Sequence, residues 1–204
     1  MSVSEPLRVG VLAIQGDFAA HIATLRSLGA EASEVRVPAD LDGLDGLVIP
    51  GGESTAISLG IAAARLEPAI RAHHARGRPL LGTCAGLIVC DSDHLALIDA
   101  KARRNAFGRQ LASFETDLVI DGIGSEPLRA VFIRAPWVES WSDDVDVLAS
   151  VDDHPVVIRQ GRVLACAFHP ELTDDQRLHA LFMAMISTAR AEDASDREGR
   201  EARR

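Results

Sequence analysis

Short, nearly continuous apolar runs recur through the first half of the chain, separated by longer segments in which apolar and polar residues mix. Three of these runs are Arg8–Ile14, Gly46–Ile49 and Pro79–Thr83. A strand at the centre of a parallel sheet is buried on both faces, so it carries apolar residues at almost every position. The three runs are therefore predicted to be central parallel strands, and a weaker strand is predicted near Glu34–Val37.

The intervals between these runs carry signals for helices. Helices are predicted at Phe18–Leu28, from Ser54 or Thr55 to Ala64, at Glu67–Ala75 and from Ala85 onward. Asp17 can cap the first of them and Gly29 can end it. This alternation of strands and helices predicts an α/β fold with three layers, built on a doubly wound and mostly parallel sheet.

The second half of the chain has shorter apolar runs with turn residues between them. The strand candidates are Leu111–Ile120, Leu128–Ile133, Val145–Val151, Pro155–Arg159 and Val163–Phe168. The pair Gln160-Gly161 indicates a hairpin turn between the last two. We expect these strands to extend or edge the sheet as additional antiparallel strands.

The C-terminal part changes character after residue 189. Apolar residues at Leu178, Phe182 and Ile186 share one helical face, which predicts a helix over Asp174–Ala189. The residues after Arg190 include no apolar side chain larger than alanine and carry charges of mixed sign, a composition typical of disorder. We therefore predict a single domain over residues 1–189 and a charged, disordered tail over residues 190–204.

Composition and charge exclude several classes of function. The chain has 204 residues and a net charge of −9, which disfavours binding to nucleic-acid phosphates. No apolar run reaches the ~18 residues of a membrane span, and we recognise no signal peptide. The three cysteines fit no zinc spacing. The sequence thus predicts a cytoplasmic protein with no metal, no membrane contact and no nucleic-acid partner.

The segment Gly82-Thr83-Cys84-Ala85-Gly86 has the G-x-C-x-G form of a nucleophile elbow. A predicted strand ends there and a predicted helix begins, so the turn between them needs small neighbours such as Gly82 and Gly86. The N-terminus of the helix would favour a thiolate. Cys84 is therefore the candidate nucleophile, whereas Cys90 and Cys166 lie in apolar stretches and are expected in the core.

A thiolate nucleophile needs a base, and the base needs a group that orients it. Among the seven histidines, His169 follows the apolar run Val163–Phe168, at the end of a strand where α/β sheets place their sites. Glu171 follows two residues later and could orient the imidazole. We expect His73 and His74, near the end of a helix, to be exposed.

A third motif, PGGEST, begins at Pro50 directly after the strand Gly46–Ile49. Two glycines before a helix can aim backbone N–H groups at a negatively charged oxygen. By itself the motif is equally typical of a tight turn with a helix cap.

Taken together, GTCAG, PGGEST and FHPEL resemble the triad-type, class I glutamine amidotransferases. The segments LAIQGDFAAH, RRNAFGRQLASFE, VFIRAP and FHPELTDDQRLH further resemble the glutaminase subunit of the two-subunit pyridoxal 5′-phosphate synthase. The resemblance runs from about Arg8 to Ile186. It implies a flavodoxin-like α/β fold and the hydrolysis of L-glutamine to L-glutamate and ammonia.

The resemblance also implies roles for individual residues. Cys84 would attack the amide carbon of glutamine and form a glutamyl thioester, His169 would act as base and acid, and Glu171 would orient His169. The backbone around Gly52 and Ala85 would form the oxyanion hole. The residues implied in binding glutamine are Gly52, Glu53, Ser54, Arg104, Ile133 and Arg134. Arg104 suits this role because a guanidinium can grip an α-carboxylate.

The family implies a partner as well as a substrate. Its ammonia passes to a barrel-shaped synthase subunit, which makes pyridoxal 5′-phosphate from a pentose phosphate and a triose phosphate. The two subunits would form a large hetero-oligomer with up to about twelve copies of each. The glutaminase would need no cofactor of its own, and docking of the synthase would complete its oxyanion hole.

One segment departs from the family pattern. Cys90–Ala102 is shorter than usual and places Asp91, Ser92 and Asp93 where an apolar or basic stretch is expected. Lys101 stands where the family has an apolar residue. We expect this departure to affect the wall of the site near Arg104 or a contact with the partner.

Three other functions are compatible with parts of this pattern. A glutaminase could serve a different synthase, for example in histidine or nucleotide biosynthesis, but the RNAFGRQ and FIRAP segments argue against it. A regulatory subunit without turnover would not need Cys84, His169 and Glu171 together. A cysteine peptidase or redox sensor on the same fold would not need the segment around Arg104.

Overall fold

A seven-stranded sheet runs through the centre of the protein in the computed structural model, which describes residues 5–106 and 113–201, with side chains as far as residue 195. Its strands are β1 (Arg8–Leu12), β2 (Glu31–Val35), β3 (Gly46–Ile49), β4 (Leu80–Thr83), β9 (Asp146–Val151), β10 (His154–Gln160) and β11 (Val163–Cys166). The order across the sheet is β2-β1-β3-β4-β11-β10-β9. The first five strands in this order run parallel, and β10 and β9 are antiparallel.

Helices cover both faces of this sheet. They are α1 (Phe18–Ser27), α2 (Ser54–Ala63), α3 (Glu67–Ala75), α4 (Ala85–Cys90) and α5 (Arg177–Glu201), with short 3-10 turns at Pro38–Leu41 and Pro170–Leu172. Gly82 of β4 faces α4, and so does its partner position in β3, which is Ile49. Gly46 lies three positions before Ile49 in β3 and faces Ile186 of α5. Because neighbouring residues of a strand alternate between faces, α4 and α5 lie on opposite sides. The predicted three-layer, doubly wound sheet is confirmed.

Two small antiparallel sheets lie outside this framework. One pairs β5 (Ala100–Arg103) with β8 (Trp137–Trp141), and the other pairs β6 (Ser113–Leu118) with β7 (Leu128–Ile133). The expectation that all later strands extend the main sheet holds for β9, β10 and β11 and is wrong for β6 and β7. Strands β5 and β8 were not predicted, because neither has an apolar run. Residues 111 and 112 of the predicted strand lie outside the described residues.

The last helix is longer than predicted. We expected it to end at Ala189 and a disordered tail to follow, but α5 continues to Glu201. Its second half is tied to the body of the protein: Arg190 donates to the carbonyl of Glu5, and Asp193 lies 3.2 Å from Arg78. Alanine, glutamate and arginine are strong helix formers, so a segment with few apolar residues remains helical here. Within residues 5–106 and 113–201, no helix has the length and apolarity to cross a membrane.

The close approach of α4 to the sheet depends on Gly86. A Cβ atom at this position would lie 1.9 Å from the carbonyl oxygen of Ile49, which is backbone and cannot rotate away. Only glycine therefore lets the first turn of α4 sit against the end of β3.

We predict that Gly86→Ala lowers the free energy of unfolding by about 3 kcal/mol through this overpacking. The matched control is Gly29→Ala, where φ is +87° and no atom lies within 4 Å of the new Cβ; it should cost only about 1 kcal/mol of backbone strain. Urea denaturation of the two variants measures the difference. Equal losses would contradict the packing explanation.

Candidate active site

Cys84 occupies a strained turn between β4 and α4. Its backbone angles are φ 49° and ψ −107°, a conformation that costs a residue with a side chain about 1–3 kcal/mol. Its N–H donates to the carbonyl of Cys166 on the neighbouring strand, at 2.8 Å. A Cβ atom on Gly82 would lie 2.8 Å from the carbonyl oxygen of Gly86. The predicted elbow is therefore present, and both glycines are needed for it.

His169 lies beside Cys84 because β11 and β4 are neighbours. Cys166 pairs with Thr83 in the parallel register, so the residues that follow each strand emerge at the same edge. The Nδ1–H of His169 donates to Oε1 of Glu171 over 2.8 Å. The ring also lies beside the Cys84 side chain, which acts on its pKa, while Sγ of Cys84 lies 3.9 Å from the carbonyl oxygen of Ile133, to which it donates. The three predicted catalytic side chains form one chain of contacts.

Opposing effects set the charge of His169. Burial alone would lower its pKa, but its hydrogen bonds to Cys84 and Glu171 and the negative charge of both raise the pKa to about 10. Burial would likewise raise the pKa of Glu171, yet the hydrogen bond from His169 and the nearby imidazoles of His21 and His169 hold it below its ordinary value. The ring is thus cationic at neutral pH, as a thiolate nucleophile requires of its partner.

A cavity of about 300 Å³ opens above these residues. Its walls comprise Gln15, Gly52, Glu53, Ser54, Cys84, Ala85, Ile88, Arg104, Asn105, Ile133, Arg134, Pro136 and His169. Every residue proposed from the sequence as catalytic or glutamine-binding lines it, except Glu171, which lies behind His169. The structure therefore brings together at one cavity residues that the sequence spread over five motifs.

Comparison with known proteins shows the family to which the chain belongs. The model of the SNO glutamine amidotransferase family matches residues 11–188. The chain belongs to that family. A relative from Parafrankia sp. (strain EAN1pec), named pyridoxal 5′-phosphate synthase subunit PdxT, is 50% identical over 88% of this chain and 93% of its own. A protein of the same name from Halalkalibacterium halodurans is 47% identical over 90% of this chain and 97% of its own.

Solved structures agree with this assignment. A crystal structure of a glutamine amidotransferase superposes with a TM-score of 0.83 at 45% identity, covering 88% of this chain and 98% of that one. A GMP synthase component from Thermoplasma acidophilum superposes with a TM-score of 0.73 at 19% identity, covering 93% and 98%; this likeness concerns the fold alone. The family resemblance inferred from the motifs is confirmed.

The glycine pair of the family's PGGEST motif follows β3, on the other side of β4 from His169. Gly52 has φ +150°, which few residues with side chains adopt. We expected Ser54 or Thr55 to cap α2, but the cap is Glu53, whose carboxylate accepts from the N–H groups of Thr55 and Ala56 at 3.1 and 2.8 Å. Ser54 is instead buried at the cavity, and its Oγ has no hydrogen-bond partner among the described residues.

Opposite charges meet at the rim of the cavity. The guanidinium of Arg104 donates to the carboxylate of Glu53 and, over 3.0 Å, to Oγ1 of Thr55. The short segment before Arg104 is held by the buried carboxylate of Asp91, which accepts from the N–H of Ala102 at 3.1 Å. The departure in Cys90–Ala102 therefore leaves Arg104 at the cavity. Residues 107–112, which include most of the RNAFGRQ motif, lie outside the described residues.

Gln15 is a cavity residue that the sequence reasoning missed. It follows β1, the neighbour of β3, and its Oε1 accepts from the N–H of Glu53 at 2.6 Å. Next to it, Gly16 has φ +95°, and a Cβ there would lie 1.8 Å from the carbonyl oxygen of Gly51. The signal was a Gln-Gly pair directly after an apolar strand. Ile88, Asn105 and Pro136 were also missed and gave no such signal.

The prediction for His73 is wrong. Its side chain is buried and faces inward with Ile70, three residues earlier on the same face of α3. Burial lowers the pKa of His73 to about 4. Two further histidines, His21 and His179, are fully buried beneath the site.

We predict that iodoacetamide labels the native protein at Cys84 alone. Cys84 lines the cavity and contacts His169, whereas Cys90 and Cys166 have no exposed surface, and burial raises the pKa of Cys90 to about 12 and that of Cys166 well above its ordinary value. Peptide mass spectrometry identifies the labelled residue, and unfolded protein should take up three labels. Native labelling of Cys90 or Cys166 at a similar rate would contradict the assignment.

Proposed function

We propose that Cys84, His169 and Glu171 hydrolyse the side-chain amide of L-glutamine to L-glutamate and ammonia, and that the ammonia passes to a synthase subunit that makes pyridoxal 5′-phosphate. The observation that carries this proposal is that His169, hydrogen-bonded to Glu171, lies beside Cys84 at the base of a cavity with paired opposite charges at its rim. The family and the names of its relatives bear out the expected role as the glutaminase subunit of this synthase.

The reaction begins with attack by the Cys84 sulfur on the amide carbon of glutamine. The carbonyl oxygen becomes an oxyanion, for which backbone N–H groups around Gly52 and Ala85 are the proposed donors. The imidazolium of His169 then gives its proton to the leaving nitrogen, ammonia departs, and a glutamyl thioester remains on Cys84.

Water completes the cycle. His169 is neutral after the first step and accepts a proton from the attacking water, while Glu171 keeps the Nδ1–H of the ring in place. Collapse of the second tetrahedral intermediate breaks the thioester bond, releases glutamate and restores the Cys84 thiolate beside a protonated His169.

The rim of the cavity suits the other end of glutamine. A free amino acid carries an α-carboxylate and an α-ammonium, which match the guanidinium of Arg104 and the carboxylate of Glu53. These two groups contact each other in the structure, so glutamine would enter between them and replace one ion pair by two. The unpartnered hydroxyl of Ser54 and the residues Ile133 and Arg134 would supply the remaining contacts.

The synthase partner belongs to the same proposal. Its barrel shape and an assembly of up to about twelve copies of each subunit remain features of the family that we propose for this chain. Three cysteines without disulfides, all buried, support a location in a reducing cytoplasm. A glutaminase for another synthase is disfavoured, because the GMP synthase component shares only 19% identity with the chain, against 47–50% for the relatives named pyridoxal 5′-phosphate synthase subunit.

We predict that Cys84→Ala abolishes glutamate formation, measured with glutamine in the presence of the synthase subunit, because Cys84 carries the only thiol among the described residues that line the cavity. Folding and binding to the synthase should be unchanged in a melting curve and a pull-down. Cys90→Ala is the matched control, since Cys90 is buried six residues later in the same helix, and it should keep activity. If Cys84→Ala turns over glutamine like the unaltered protein, the proposal is wrong.

A second prediction concerns substrate binding. Arg104→Ala should raise the KM for glutamine about tenfold or more, because a charge-assisted hydrogen bond to the α-carboxylate is lost. The kcat should change far less. Arg103→Ala is the control: Arg103 is the exposed neighbour and pairs with Glu139, so its KM should stay within about twofold of the original. An unchanged KM in Arg104→Ala would remove Arg104 from the glutamine site.

A further inference from the structure

Two buried histidines that the reaction above does not use lie directly beneath the triad. His21 comes from α1 and His179 from α5, and neither side chain has any exposed surface. Nδ1 of His21 lies 2.9 Å from Nε2 of His179, within hydrogen-bond distance. The two helices that cover this face of the sheet are thus joined by a polar contact in an otherwise apolar layer.

This pair contacts the catalytic carboxylate on the side away from His169. Oε2 of Glu171 lies 3.3 Å from Nε2 of His21. The N–H of His21 is also 3.3 Å from Oγ1 of Thr83 and is better aligned with it. Oε2 of Glu171 makes no hydrogen bond to any described residue, although the side chain is only 1% exposed. A buried carboxylate oxygen without a donor is energetically costly. Among the described residues, His21 is the donor placed near Oε2 of Glu171.

The charge of the Glu171 carboxylate decides which ring nitrogens of His21 and His179 donate and which accept. Glu171 is ionised and can only accept, so Nε2 of His21 carries the proton and its Nδ1 is an acceptor. Nε2 of His179 must then donate to it, which leaves Nδ1 of His179 as a bare lone pair. That atom is the one that has no hydrogen-bond partner among the described residues, and an unprotonated nitrogen tolerates this better than an N–H would.

We propose that His21 is a positioning residue for Glu171, and that His179 fixes the tautomer in which His21 can act. The triad thereby becomes part of a chain of five side chains that runs from Cys84 to α5. This inference rests on the proposed function, because it concerns the orientation of the group that orients His169. With His169 bonded to Oε1 and the N–H of His21 3.3 Å from Oε2, rotation of the carboxylate away from the ring is opposed, which keeps the imidazolium stabilised.

Both histidines act as neutral dipoles. Burial lowers the pKa of His21, although the charge of Glu171 opposes this, and burial lowers the pKa of His179 to about 3. The titratable groups that act on this part of the site are His169, Glu171, Asp17, Cys84 and Cys166. Loss of the His169 proton on the alkaline side of neutrality would remove the acid that the reaction requires. Loss of His21 should therefore appear in the alkaline limb of the pH profile.

The test compares His21→Leu with His21→Gln in the complex with the synthase subunit. Leucine removes the donor, whereas the amide of glutamine can place an N–H near the position of Nε2. We expect His21→Leu to lower kcat about tenfold or more, to leave the KM for glutamine within about twofold, and to move the alkaline limb of kcat/KM to lower pH. His21→Gln should recover most of the rate and the original limb.

His73→Leu is the matched control, because His73 is also a buried histidine with an unpartnered ring nitrogen, on α3 away from the cavity. It should lose stability with no change in the pH profile. If His21→Leu keeps the original profile, or if glutamine at position 21 restores nothing, His21 is only a packing residue. Activity that survives Cys84→Ala would instead overturn the proposed function, so the two failures are distinguishable.

A measurement on the unaltered protein covers the case in which His21→Leu does not fold. In ¹⁵N NMR spectra of histidine-labelled protein, the neutral ring of His21 should carry its proton on Nε2, and so should that of His179. A His21 ring protonated on Nδ1 would overturn the proposal whatever the kinetics show, because it could not donate to Glu171.

Discussion

The turn at Cys84 is the constraint on which the rest of the site depends. Its positive φ holds the thiol where a strand ends and a helix begins, and glycine carries the turn because the carbonyl oxygens of Ile49 and Gly86 leave no room for a Cβ atom at Gly86 and Gly82. Burial of the surrounding strands stabilises a conformation that would be rare in a free peptide. The same order of strands places Gly52 and His169 on either side of this turn.

Charge balance then decides what the site can do. A buried imidazole ordinarily loses its proton, but His169 is flanked by Cys84 and by Glu171, so the protonated ring is the stable form. Glu171 is itself buried and is tolerated because it lies among donors. The charge of His169 and that of Glu171 each depend on the neighbouring group. Removing one member of the triad should therefore affect the others more than the loss of a single contact suggests.

Much of this could be predicted from sequence, for identifiable reasons. The strand Gly46–Ile49 and the helix Glu67–Ala75 match the structure in both bounds, because a continuous apolar run and a helix with proline in its first turn and glycine after its end are strong local signals. The motifs around Cys84 and His169 contain their own turn residues. Strand β5 was missed because it is a strand only through its pairing with β8. The roles of Gln15, His21 and His179 were missed because their contacts form only when distant segments meet at the site. The continuation of α5 depends on ion pairs with distant arginines.

The protonation state of His169 tests the central claim most directly. Titration of the ring by NMR in histidine-labelled protein, with Cys84→Ala alongside to remove the thiol, follows the charge without any assay of turnover. The ring should remain protonated well above pH 8 and lose its proton near pH 10, and it should titrate lower without the thiol. A ring that titrates near its ordinary value of about 6.5, with or without Cys84, would contradict this claim.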